Sequence, residues 1–191
     1  IQKKDKTATP KTTNIKARER KLMSFQYRPR RSVIYVPAHE AKHIEKARHL
    51  AADSIVFDLQ ESVPPKCKQE ARALLYKSLE NTNFGYSEKV IRINSLDSEW
   101  GMDDLRAAIS LDVDAVLFPN IESAGQLKAA VATLDELGGS HVSVMVNIES
   151  PKGVLRSEEI CGGSDRLSAI VMGTTDLANS LRINLTPDRM G

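Results

Sequence analysis

From Arg31 onward the sequence alternates between two periods, and that alternation limits the folds open to it. Short runs rich in β-branched residues recur as RSVIYVP, SIVFDL, KVIRIN, DAVLFP, HVSVMVNI and LSAIVM. Between them lie segments with helical spacing. HEAKHIEKARHLAA carries Ile44, Ala47, Leu50 and Ala51, and CKQEARALLYKSLE carries Ala71, Leu74, Leu75 and Leu79 on one face. MDDLRAAISL gives a third helix, and the segment with Leu127, Val131 and Leu134 a fourth. PKGVLRSEEI gives a fifth, and DLANSL starts the last. Strands that are apolar throughout are buried on both faces, as in a parallel sheet covered by helices. The predicted class is therefore α/β, as an open doubly wound sheet or part of a TIM (β/α)8 barrel. No G-x-G-x-x-G or Walker-type loop follows a strand, which weighs against the nucleotide-binding open sheet. A barrel needs eight units, so the expectation is about the first six βα units, with the C-terminal part missing after Gly191.

The 191 residues suffice for one core and not for two ordinary domains. The net charge of +2 conceals an uneven spread. Residues 1–30 are basic, opposed only by Asp5 and Glu19, so the rest of the chain is acidic overall and implies no nucleic-acid partner. The expected division is a basic, disordered segment 1–30 and a barrel domain 31–191. The segment also fits the remainder of an organelle transit peptide, and Met23 is a second candidate start. The expected location is mitochondrial in a eukaryote and cytoplasmic otherwise. No apolar run reaches the length of a membrane span. Cys67 and Cys161 are too far apart in sequence to suggest a disulfide framework or a zinc knuckle.

Chemistry in such a barrel sits at the C-terminal ends of the strands, and polar residues collect there. The second strand ends in Asp58, Leu59, Gln60 and Glu61; the third carries Arg92 and Asn94. The fifth ends in Asn147, Ile148 and Glu149, and the sixth runs into Gly173, Thr174, Thr175 and Asp176. Paired carboxylates without His or Cys beside them suit a hard cation, Mg2+ first and Mn2+ second. Such an ion acts as a Lewis acid toward a 2-oxo or hydroxy acid. Arg92 offers a planar fork to a carboxylate or thioester oxygen. Each residue also has a structural explanation: Glu149 and Asp176 as helix N-terminal acids, Arg92 as the partner of a neighbouring acid.

RRSVIYVPAHEAKHIEKA, DSIVFDLQESVPPKCKQEAR, VIRINSLDSEWGMDDL, AVLFPNIESAGQL, VNIESPKGVL and IVMGTTDLANSL occur in order. Together they resemble the citrate lyase β-subunit-like branch of the HpcH/HpaI aldolase superfamily, over nearly everything from Arg31 to Gly191. The resemblance implies a Mg2+-dependent carbon–carbon lyase acting on a small acyl-CoA such as citramalyl-CoA or malyl-CoA. It implies metal binding by Glu149 and Asp176 and substrate binding by Arg92. Asp58 and Glu61 would act beside the metal-bound water, and a homo-oligomer, a trimer in the family, is expected. In the family an Asp beyond the sixth unit is thought to act across a subunit interface. Arg30 and Arg31 are candidates to meet the CoA phosphates. The sequence departs from the family pattern at Gln60, where an acid is usual, at Asn120 in place of Lys, and at Thr175 in place of Glu. Changes around a metal site cost 10–100-fold in affinity or activity, so a non-catalytic homologue binding CoA esters or protein partners is the alternative.

Two other motifs carry little. His39-Glu40-Ala41-Lys42-His43 matches H-E-x-x-H, but Pro37 and the preceding strand put His39 at a helix start, where the two His do not share a face. Lys152 follows Pro151 in a helix start and not a strand end, which disfavours a Schiff base. Six units alone leave strand edges open, so residues 1–191 in isolation are expected to be unstable or to associate.

Overall fold

The computed structural model describes residues 28–184 apart from Asn81 and Asp112. Most of the basic segment, with Met23, lies outside the described residues. Six strands run parallel in chain order: β1 (Val33–Pro37), β2 (Ser54–Asp58), β3 (Glu88–Arg92), β4 (Ala115–Phe118), β5 (Ser143–Ile148) and β6 (Leu167–Met172). The helices are α1 (Ala41–Ala47), α2 (Lys68–Leu79), α3 (Gly101–Ser110), α4 (Ala124–Glu136), α5 (Pro151–Leu155), α6 (Ser157–Cys161) and α7 (Thr174–Leu181). This is the expected alternation, one helical connection per strand pair, with six consecutive units of a TIM-type barrel.

Side chains alternate across each strand, so each contributes to two different interiors. Ile55, Phe57, Ile91, Val116, Val144 and Val146 face the helices and meet Ile44, Leu75, Leu105, Leu127 and Leu134 in the main core. The other face carries Val56, Val90, Ala115, Leu117 and Met145, with Ala169 and Val171 packed against them. That second, smaller cluster fills the inside of the curl.

Arg30 shows how far the sheet curls. It stands just before β1, yet its Nη1 donates to the Ser168 carbonyl on β6 at 3.2 Å. In a flat sheet β1 and β6 would be about 24 Å apart, far beyond an arginine's reach. The same guanidinium donates from Nε and Nη2 to the Glu88 carboxylate on β3, at 2.7 and 2.6 Å. Ser168 lies at a register irregularity between β5 and β6, which leaves its carbonyl outside the regular ladder. Arg28 adds a longer contact, 3.9 Å from Asp114. Arg28 and Arg30, assigned by composition to the tail, thus close the bottom of the folded domain.

Two helices differ from expectation. The first stops at Ala47, and Leu50 is exposed, because His49 and Leu50 donate to the Lys46 and Ala47 carbonyls in tight turns. The fifth breaks at Arg156, whose amide bonds both the Lys152 and Gly153 carbonyls. Both cysteines are free thiols. Among the described residues no helix is long and apolar enough to cross a membrane.

Removing the Arg30 side chain strands Glu88, which is 3% exposed. Arg30→Ala is expected to cost about 3–5 kcal/mol in urea unfolding of the full-length protein, the penalty of an uncompensated buried charge. Arg31→Ala, whose side chain is 80% exposed on Asp53, is expected to leave the unfolding midpoint close to wild type.

Candidate active site

At the opposite end of the barrel the inward alternation delivers Asp58 from β2 and Arg92 from β3, which are register partners. Arg92 donates from Nε to Asp58 Oδ1 at 2.8 Å and from Nη2 to Oδ2 at 2.7 Å. Nη2 also reaches Glu61 Oε2 at 3.1 Å. The fork expected to grip a substrate carboxylate is therefore closed on Asp58. Nη1 has no hydrogen-bond partner among the described residues and is the part of the guanidinium left for a ligand.

Asp58 is correspondingly occupied. Its carboxylate also accepts the Gln60 amide at 2.8 Å and the Ser62 amide at 3.0 Å. Burial alone would raise its pKa, but the Arg92 contacts and these amides outweigh it and hold the carboxyl below its usual range. Burial likewise opposes the Arg92 cation, and Asp58 and Glu61 more than restore it. Asp58 is thus a holder of Arg92 and not a free base. Glu61, half exposed, is the acid of this group that still faces solvent.

Glu149 follows β5 and Asp176 lies in the first turn of α7. The Glu149 side chain is buried, and its Oε1 lacks any hydrogen-bond partner. Its pKa is raised, first by burial; Asn147 opposes the rise by hydrogen bonding, while the charge and hydrogen bond of Asp176 add to it. Asn147 Oδ1 is a second buried acceptor without a donor. Two adjacent carboxylates and an amide oxygen short of donors fit a hard divalent cation, which takes oxygen ligands only. Gly173, between β6 and α7, packs directly on the Glu149 side chain; a Cβ there would overlap Glu149 Cγ.

A buried cation braces the loop behind Glu61. Lys68 Nζ, at the start of α2, donates to the Leu59 and Gln60 carbonyls, both at 2.6 Å, and to Asn94 Oδ1 at 2.9 Å. It also lies 5.1 Å from the Trp100 ring. Asn94 Nδ2 bonds Asp104 at 2.6 Å, and Arg72 bonds the other Asp104 oxygen at 2.8 Å. Sequence reasoning missed Lys68, Arg72 and Asp104. Their signal was faint: a lysine and an arginine on the α2 face otherwise read as solvent, and one of two adjacent aspartates.

Other expected residues fall elsewhere. Arg31 stands at the bottom of the barrel, its backbone amide and guanidinium on Asp53, so it does not reach the mouth. Arg30 is equally distant, half-buried against Glu88. Both precede β1, and in a parallel barrel everything before a strand lies at the face opposite the site. Lys152 pairs with Glu122 at 3.0 Å. His39 lies outside α1 while exposed His43 lies on it. Asn120 adopts a left-handed backbone (φ 54°), a conformation asparagine tolerates better than lysine. The Gln60 side-chain oxygen is buried without a donor.

The raised pKa of Glu149 gives a pH test. The folded state binds its proton more tightly than the unfolded state does. The associated stability is present at low pH and is lost as pH rises through the folded pKa. In chelator, Glu149→Gln should melt with wild type near pH 4 and above it at pH 7.

The HpcH/HpaI aldolase/citrate lyase family model matches residues 31–190. A (3S)-malyl-CoA thioesterase of Cereibacter sphaeroides is 39% identical over 168 residues, 88% of this chain and 57% of its own length. The citrate lyase β subunit of Escherichia coli is 32% identical over 173 residues, 87% of this chain and 57% of its own. The chain thus spans little more than half the length of these curated relatives. Among solved structures, a citrate lyase β subunit of Mycobacterium tuberculosis complexed with oxaloacetate and magnesium is 25% identical, with a TM-score of 0.65 over 84% of this chain and 67% of that one. The CitE protein of the same organism, in complex with magnesium, acetoacetate and coenzyme A, is also 25% identical, with a TM-score of 0.67 over 84% of this chain and 57% of that one. The chain belongs to the HpcH/HpaI aldolase/citrate lyase family, in its citrate lyase β-like branch.

Proposed function

We propose that the full-length protein is a divalent-metal-dependent carbon–carbon lyase acting on the CoA thioester of a short hydroxy acid, with citramalyl-CoA and malyl-CoA as the leading substrates. The observation that carries the proposal is the unpartnered, buried Glu149 oxygen set against Asp176, beside an Arg92 with one amino group unused. Glu149 and Asp176 would hold Mg2+, or Mn2+ second, which supplies Lewis-acid polarisation of the substrate's hydroxyl and carboxylate. Nη1 of Arg92 donates to the substrate carboxylate or thioester oxygen and keeps it in line with the bond to be broken.

Glu61 would take the hydroxyl proton; Arg92 holds only one of its oxygens, which supports that role. As that proton leaves, the bond between the carbinol carbon and the carbon next to the thioester breaks. Its electron pair passes into the thioester enolate, which is protonated at carbon. The products are a 2-oxo acid and a shorter acyl-CoA, with no oxidant required. A homo-oligomer belongs to the same proposal, and light scattering on the full-length protein checks it.

A second reading, thioester hydrolysis, is favoured by the greater identity to the malyl-CoA thioesterase, 39% against 32% for the citrate lyase subunit. Product analysis separates the two. A lyase releases a 2-oxo acid and no free thiol; a hydrolase releases CoA thiol and an intact hydroxy acid. With full-length protein and Mg2+, cleavage of citramalyl-CoA or malyl-CoA to a 2-oxo acid is expected, falling at least a hundredfold in Glu149→Ala. Saturating Mg2+ should also raise the melting temperature of wild type and not of Glu149→Ala. Folded wild type with neither a Mg2+ shift nor turnover would establish the non-catalytic alternative.

A further inference from the structure

Tyr35 is an inner-face residue of β1. Its strand neighbours Ile34 and Val36 pack into the helix-side core, so alternation sends Tyr35 into the barrel. Tyr35 lies on β1, an edge strand of the described sheet, and is 42% exposed there; the inner-face residues Val56, Val90, Leu117 and Met145 of β2 to β5 are flanked by strands on both sides and are covered. The Tyr35 ring lies 5.1 Å from the Arg92 guanidinium carbon, a cation–π contact across the intervening strand β2.

The charges around the ring place it at the mouth. Arg92 lies against the ring at 5.1 Å, and Asp58, Glu149 and Glu61 also act on the phenol electrostatically. Burial is the largest influence and, with the three acids, favours the protonated phenol; Arg92 alone opposes. A protonated phenol is a neutral hydrogen-bond donor. Its hydroxyl has no hydrogen-bond partner among the described residues.

The two ends of this side chain have separate uses. The ring covers one face of Arg92, and Asp58 fixes its edge, so the guanidinium plane is set from two directions. That leaves Nη1 in a fixed orientation. The phenol feels the charge of Glu149, whose Oε1 is a buried oxygen without a donor. A ligand oxygen entering the mouth would meet Nη1 as a cationic donor and the phenol as a neutral one. Two donors at different angles suit a carboxylate or 2-oxo group, which has in-plane lone pairs on both oxygens.

We infer that Tyr35 is a substrate-contacting residue of this site, its hydroxyl donating to an oxygen of a bound 2-oxo or hydroxy acid while its ring keeps Arg92 in position. The inference rests on the function proposed above, and the test separates the two. Pyruvate and glyoxylate, with Mg2+ present, are titrated calorimetrically into full-length wild type, Tyr35→Phe and Tyr35→Ala. Turnover of citramalyl-CoA and malyl-CoA is measured in parallel.

Tyr35→Phe keeps the ring and loses the donor. Its Kd for the 2-oxo acid and its KM are expected to rise roughly tenfold, as for loss of one hydrogen bond to a charged group, with the Mg2+-induced melting shift unchanged. Tyr35→Ala also frees Arg92, so kcat is expected to fall further, and Phe in place of Ala should restore that part. Wild-type Kd and KM in Tyr35→Phe would overturn the contact while leaving the lyase proposal standing. Wild type that binds neither 2-oxo acid would overturn both.

Discussion

A parallel sheet that curls back on itself has an inner face with little access to water, and any charge placed there must find its counter-charge there too. Two ion pairs satisfy this requirement, one at each end of a thin apolar layer. Arg30 and Glu88 close the bottom, and Arg92 and Asp58 stand at the top. Between them lie Val56, Val90, Ala115, Leu117 and Met145. In both pairs β3 supplies one partner at an inward position of the same strand, Glu88 at its start and Arg92 at its end. Breaking either pair leaves an uncompensated charge in a poorly hydrated place, which is costlier than never having buried it. The curl and the site therefore depend on the same alternation along β3.

Much of the architecture was legible because the barrel's two periods do not overlap. Runs such as VIYV and IVFD cannot be amphipathic helices, and the intervening apolar residues at three- and four-residue spacing cannot be half-buried strands. Strand identity, order and parallel sense followed from those periods and the rules of βα connection. What did not follow was where helices stop. Leu50 and the break at Arg156 depend on single backbone amides choosing a nearer carbonyl, and hydrophobic spacing carries no record of that choice.

The candidate site was legible as a set of strand ends, and less so as a set of contacts. Asp58, Glu61, Arg92, Glu149 and Asp176 all fall at the C-terminal face. Their division of labour was not visible, since sequence cannot show that Asp58 would consume two of the guanidinium's nitrogens. Arg31 failed for a topological reason: a residue ahead of β1 belongs to the opposite face whatever its charge. Lys68 and Tyr35 were hidden by their types. A lysine at a helix start looks solvated until its carbonyl partners on Leu59 and Gln60 are known. A tyrosine inside an apolar strand looks like core until the alternation shows which interior it enters.

The arginine and the acid pair are built on opposite electrostatic principles. Arg92 is neutralised locally by Asp58 and Glu61, so its charge is stable with no ligand present and its unused amino group is ready. Glu149 is compensated less: Asn147 and Arg92 favour its ionised form, but burial and Asp176 outweigh them. Gly173 leaves the room in which the Glu149 side chain lies, since a Cβ there would overlap Glu149 Cγ. A fold that needed only stability would place a donor beside Glu149, as it does for Asp58. Leaving that carboxylate short of donors weakens the empty protein, and the same deficit is what a cation would satisfy on binding. Within the candidate site the two groups are thus distinguishable by electrostatics: Arg92 is paired within the chain, and the Glu149 carboxylate keeps a buried oxygen without a donor.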